Sequence, residues 1–258
     1  MIGQWGLAAV FALVLSSMGM SSPVFAEAPQ RVADQLKGAV AEFVRLAHEL
    51  RERGDMPRLS DPTAAAILGR IWTADDRIGS QALGSADLTA LGQIQSDQLK
   101  VLDDYLYFPA VSSQPIDFDK ISGLFQDELT SAFVASVQAS AKTSRVSEAM
   151  MRSLAASPLP HAEDYVQAMR SVSLNLLINS QKFISSKVTR AGNIVRIGRA
   201  FADKGHDFTL MFSAWDRKGI AAMLTPTVTT LDPASRAAFD TFIGALSDTP
   251  CGTLCGVP

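Results

Sequence analysis

Histidine and cysteine are scarce in this chain: 258 residues hold three of the first and two of the second. No stretch alternates apolar and polar residues between turn signals as a β-strand does. Residues 225–230 carry β-branched side chains but also Pro226, and are too few to found a sheet. The motifs of nucleophilic and nucleotide chemistry are missing too. There is no G-x-S-x-G elbow, no Ser three residues before a Lys, no P-loop and no G-x-G-x-x-G turn. Each of these supplies a backbone geometry that its chemistry needs, so the corresponding hydrolases and nucleotide-binding folds are disfavoured. A net charge of only −3 argues against nucleic acid as a partner. No internal repeat and no low-complexity linker occurs.

What little metal-ligand chemistry exists is incomplete. His48-Glu49-Leu50-Arg51-Glu52 resembles the H-E-x-x-H zinc helix with Glu in place of the second His. The spacing puts His48 and Glu52 on one helix face, but a third ligand must come from elsewhere, and a solvated helix face explains the same residues. His161 at a helix start and His206 in a Gly-flanked loop read as surface residues. The acid pairs Asp75-Asp76, Asp103-Asp104 and Asp127-Glu128 are sequence neighbours. Neighbours project about 100° apart on a helix, so no pair by itself forms the facing carboxylates of a glycosidase or two-metal site. Asp117 and Asp119 lack the later ligands and Gly of a calcium loop and suit a helix start. No cofactor, metal or catalytic residue is expected.

The N-terminus has a different character. Residues 7–15 are an unbroken apolar run, Pro23 breaks it, and Val24-Phe25-Ala26 places small residues at −3 and −1 of a cleavage site. Residues 1–26 therefore read as a secretory signal peptide, although residues 1–6 lack Lys and Arg. An uncleaved anchor is the competing reading, but the apolar stretch is shorter than the ~20 residues that a spanning helix needs. No Cys near Ala26 could accept a lipid, and nothing later resembles a membrane span. The location this implies is periplasmic or secreted.

From Glu27 the chain reads as helix after helix, in one all-α domain over residues 27–248. About seven helices are expected, arranged as a bundle or an orthogonal array. The first carries Val32, Leu36, Val40, Phe43, Ala47 and Leu50 and stops at Gly54 and Pro57. Asp61-Pro62 opens the second, which runs to about Ile78. Ser85 caps the third, Asp117 the fourth, and Asp232-Pro233 opens the last. The fourth pattern fades over residues 139–147, where a break is expected. Residues 157–160 are a firmer interruption and the one credible subdomain boundary. Residues 161–204 read as a single long helix, bent at Gly192 or Gly198, and another helix follows over residues 208–224.

Two features bear on function. Between Asp164 and Asp203 there is no acidic residue, while Arg170, Lys182, Lys187, Arg190, Arg196 and Arg199 are basic. On a continuous helix Lys182, Arg196 and Arg199 fall opposite the apolar stripe. Pairing with acids of neighbouring helices is one account of this face; an anionic partner, whether a membrane surface, a polyanionic envelope component or an acidic protein patch, is the other. The second feature is Cys251-Gly-Thr-Leu-Cys255 in the tail over residues 249–258. In an oxidising compartment these thiols pair most simply with each other; free or intermolecular thiols, and redox or metal chemistry, are the alternatives. The resulting expectation is an exported, non-enzymatic binding protein for a protein or anionic envelope partner. A carrier of an apolar small molecule between the core helices, and an enzyme with scattered Asp, Glu and His, are the competing classes.

Overall fold

The computed structural model describes residues 27–78, 83–108, 115–154 and 162–257. The proposed signal peptide, the break at 157–160 and His161 lie outside them. The described residues are all-helical, with no strand and with nine α-helices. These are α1 (Glu27–Arg51), α2 (Pro62–Trp72), α3 (Leu88–Leu106), α4 (Phe118–Ser153), α5 (Ala162–Ser185), α6 (Ala191–Thr209), α7 (Ala214–Val228), α8 (Pro233–Asp248) and α9 (Thr253–Gly256). No described helix is long and apolar enough to cross a membrane.

The starts follow the expected cap chemistry. Asp61 accepts from Ala64 N, Asp117 from Lys120 N, and Asp232 from Ala234 N and Ser235 N. The third start differs: Ser85–Asp87 form a 3-10 turn and α3 begins at Leu88. The second helix ends at Trp72, and a second 3-10 turn, Asp75–Arg77, covers the rest of its predicted length. The helix expected from residue 208 starts at Ala214, because α6 continues to Thr209 and Ser213 forms a capping box with Asp216.

The 36-residue α4 is the hub, and the break expected over 139–147 is absent. At 1.5 Å per residue its two stretches, joined at a kink at Phe125, add up to about 54 Å along the axis. Packed against it are α3, α5, α6 and α9; α1 and α2 extend the array beyond α3, and α8 and α7 beyond α6. The fading of its apolar pattern marks burial on several sides. Ser136, Ser140, Thr143, Ser144 and Ser147 are all buried. Thr143 Oγ1 and Ser144 Oγ donate to the carbonyls four residues back, at 2.9 and 2.7 Å. Small hydroxyl residues that bond back to their own helix let neighbouring helices approach closely; Ser136 Oγ, in contrast, is buried without a partner among the described residues. The one non-helical residue is Phe125, whose ring stacks edge-on with Tyr105 and Phe108. A single contiguous hydrophobic core runs from Val32 to Leu254.

The long helix predicted over 161–204 is two helices, α5 and α6, turned through residues 186–190. The start of α4 imposes this corner. Asp119 Oδ1 accepts from Ser186 Oγ at 2.7 Å and Lys187 N at 3.2 Å, and Gln126 Oε1 accepts from Arg190 N at 3.0 Å. Neither Gly192 nor Gly198 makes the bend. Gly198 and Gly205 instead let α6 approach α8: a Cβ on Gly198 would stand 3.0 Å from Ala238 Cβ, and one on Gly205 3.1 Å from Ala245 Cβ.

Candidate functional site

The packing partners of α4 create a concavity among the described residues. Phe108 at the end of α3 meets Phe125 near the start of α4, while Gln95 reaches Ser140 further along, so α3 and α4 are antiparallel. Ser147 bonds Tyr165 and Phe133 stacks on Phe183, so α5 is antiparallel to α4 as well. It follows that α3 and α5 run in the same direction, side by side on α4. A groove of about 330 Å³ lies between them, within the size range of small-molecule sites.

Positions at steps of three and four on each helix line the groove. Leu99, Leu102, Val172, Leu176 and Ile178 supply its apolar surface. Ser96, Asn175 and Asn179 add hydrogen-bonding groups, and Lys100, Asp103, Tyr107 and Lys182 gather where α3 and α5 end. Lys100 is neutralised by Asp97 at 2.7 Å, and Asp104 by Arg51 at 2.7 Å. Asp103 and Lys182 are not neutralised. No described residue donates a hydrogen bond to the Asp103 carboxyl; burial, with the charge of Asp104 beside it, pushes it up to about 7. Lys182 Nζ lies 5.9 Å from the centre of the Phe118 ring and has no carboxylate partner among the described residues. Asp103 was visible in the sequence only as half of an adjacent acid pair; its separation from Asp104 arises because one faces the groove and the other faces α1.

A second concavity, about 250 Å³, lies between the Asp75–Arg77 turn, α4 and α6. Two ion pairs cross it, Lys142 with Asp75 and Arg145 with Asp207. Lys142 Nζ donates to Asp75 O at 2.7 Å and to Ile78 O at 3.3 Å, and pairs with Asp75 Oδ2 at 3.2 Å. Burial raises the Asp75 carboxyl against the pull of Lys142. Arg145 stands 3.8 Å from Asp207 across the same crevice.

The basic run between Asp164 and Asp203 does not form one face. Lys182 belongs to α5 and the groove, whereas Arg196 and Arg199 lie beyond the corner on α6. Both arginines are exposed; Arg196 reaches Ser131 Oγ at 3.3 Å, and Arg199 has no partner among the described residues. Arg190 pairs with Asp127, which Asn193 also contacts at 3.0 Å. Burial raises Asp127, but Asn193 and Arg190 outweigh it and hold the carboxyl below its ordinary value. Arg170 is part-buried and donates to the carbonyls of Met211, Leu254 and Val257 at 2.7, 2.9 and 2.6 Å.

Arg170 thereby holds a tail that the sequence presents as an appendage. Cys251 and Cys255 stand at disulfide distance, with their Cα atoms 5.3 Å apart. Glu148 Oε1 accepts Thr253 N at 2.9 Å, and its Oε2 accepts Leu254 N at 2.8 Å. The four-residue α9 is thus gripped at its amide end by α4 and at its carbonyl end by α5.

Near the zinc-like motif, His48 and Glu52 are exposed and Glu49 pairs with Arg45 at 3.0 Å. His206 Nδ1 stands 3.2 Å from Asp207 Oδ1. The described residues contain no group of three potential metal-ligating side chains. No protein-family profile matches the chain, and neither a curated protein nor a solved structure shows significant similarity to it.

Proposed function

We propose that this is an exported helical protein that acts by binding, with the α3–α5 groove as its site for a small amphipathic molecule. Export rests on the N-terminal apolar run and cleavage pattern, supported by two cysteines at disulfide distance. The observation that carries the binding reading is the pair of uncompensated charged groups, Asp103 and Lys182, on opposite walls above an apolar floor. Buried or half-buried polar groups normally find partners within the fold. Asp103 is half-buried and accepts no hydrogen bond from a described residue, while Lys182, exposed on the other wall, leaves its ammonium open to a ligand. The small-molecule reading thus moves from the helical core to a groove on its surface.

Native mass spectrometry of full-length protein expressed in a Gram-negative host tests this reading. The expected result is a retained small-molecule adduct that disappears in the groove-filling variant Asn175→Trp. Absence of any adduct, together with unchanged groove resonances when the protein is titrated with a mixed small-molecule extract, would overturn it. A second reading, contact with an acidic protein or anionic envelope component, rests on exposed Arg196 and unpartnered Arg199 on α6. Charge reversal of both arginines should then abolish partner capture without lowering stability; unchanged capture excludes that surface.

A further inference from the structure

The groove's chemistry selects among amphipathic ligands, and the following inference rests on the groove being the binding site. We infer that its ligand is a small organic acid, one carboxylate on an apolar body. The carboxylate lies between the Lys182 ammonium and the Asp103 carboxyl, and the body lies along Leu99, Leu102 and Leu176.

Charge complementarity carries the argument. The charged groups that line the groove with Asp103 are Lys100 on its own helix and Lys182 on α5, with Tyr107 just past the end of α3; Asp104 beside it is turned toward Arg51 on α1. Lys100 is already paired with Asp97, and Arg51 with Asp104. This leaves Lys182 as the uncompensated cation. It is exposed, with its Nζ 5.9 Å from the centre of the Phe118 ring, so its ammonium is free to meet an anion in the groove. A cationic ligand would be repelled by Lys182 with no ionised acid certain to hold it, because Asp103 titrates near neutrality. A carboxylate meets the ammonium on one wall and, on the other, a protonated Asp103 that donates a hydrogen bond to it. Two carboxyl groups sharing one proton is a stable arrangement where two charges would repel. The side-chain amides of Asn175 and Asn179 offer further donors along the same wall as Lys182.

Binding is then acid-dependent. Above neutrality Asp103 ionises, loses its donor proton and opposes the ligand's charge. Between pH 6 and pH 8 the protonated fraction of a group titrating near 7 falls about tenfold, and the affinity falls with it.

The test is a titration of the full chain with octanoate and, separately, with octylamine at pH 6 and pH 8, followed by the side-chain amide resonances of Asn175 and Asn179 and by calorimetry. Octanoate should bind about tenfold more tightly at pH 6. Asp103→Asn retains a donor that does not titrate, so it should bind octanoate equally at both pH values. Lys182→Met should weaken octanoate at both. Octanoate affinity independent of pH in the parent chain, or lost in Asp103→Asn, would overturn the inference. Octylamine binding more tightly at pH 8 would overturn the acid class while leaving the groove as the site. Silence of both probes at the two asparagines would overturn the inference, and the adduct measurement then decides whether the groove itself stands.

Discussion

The Glu148 carboxylate accepts the backbone N–H of Leu254 at 2.8 Å, tying the hub helix to a residue 106 positions later in the chain. This bond, with its neighbour to Thr253, satisfies donors at the exposed start of a helix too short to be stable alone. Burial pushes Glu148 up, but the Leu254 and Thr253 amides and Arg152 outweigh it and hold the carboxyl below its ordinary value. Because the folded pKa lies below the unfolded one, the stabilisation is present above the unfolded pKa and is lost as pH falls through the folded one. Glu148→Ala should cost about 2 kcal/mol at neutral pH, since it leaves buried amides unpaired. The loss should shrink as pH falls through the folded pKa, where the parent carboxylate becomes protonated too. Urea unfolding over a descending pH series from pH 7 measures both; a cost that is already small at pH 7 would refute the role.

The paired cysteines sit inside this clamp. Closing a five-residue ring stabilises by about 2 kcal/mol in the chain-entropy model, provided the tail is ordered. Arg170 and Glu148 order it by holding its carbonyl and amide ends. Replacing both cysteines with serine should therefore accelerate amide exchange at positions 254 and 255 while exchange in α3 and α6 stays as it was. Uniform acceleration across the protein would mean that the bridge supports the global fold rather than the tail.

Glycine has opposite meanings in α6 and α7. A Cβ on Gly198 or Gly205 would press against Ala238, Phe239, Phe242 and Ala245 at 3.0 to 3.1 Å, distances that force α8 to shift. Nothing lies within 4 Å of a Cβ on exposed Gly219. Gly198→Ala and Gly205→Ala should destabilise by about 1–2 kcal/mol despite the better helix propensity of alanine. Gly219→Ala should stabilise by up to about 1 kcal/mol. Thermal melts of the three variants check the contrast, and a stabilised Gly198→Ala would show that α6 and α8 are less closely apposed.

The same helices show what the sequence could and could not reveal. Asp61, Asp117 and Asp232 were legible as helix starts because capping is local: a side chain bonds an amide two or three residues on. The corner between α5 and α6 was not legible, because Asp119 and Gln126 enforce it from more than 60 residues away. The continuity of α4 was hidden for a related reason. Its Ser and Thr residues face several neighbours at once, so no single apolar stripe marks the helix. Lys182 was legible as a site residue by its place in an acid-free stretch, but its link to Arg196 and Arg199 assumed one helix where there are two. Asp103 gave no signal, since its environment comes from a groove wall contributed by a helix some 70 residues on.

Asp103 also makes a prediction that needs no ligand. Its folded pKa of about 7 lies above the ordinary carboxylate value, so the folded state holds the proton more tightly than the unfolded chain. The sign follows: this group's contribution to stability falls as pH rises from the unfolded pKa toward 7, and levels off above it. At pH 8 the protein carries an ionised, unpaired carboxylate in the groove wall. Asp103→Asn removes that charge and keeps the shape, so it should stabilise the empty protein at pH 8, on the order of 2 kcal/mol after allowance for partial exposure. At pH 4, where the parent carboxyl is protonated in the folded state, the gain should vanish. Urea midpoints at the two pH values decide the matter. An Asp103→Asn variant no more stable than the parent at pH 8 would mean that solvent in the groove already accommodates the charge, and the acid dependence argued for the ligand would lose its source.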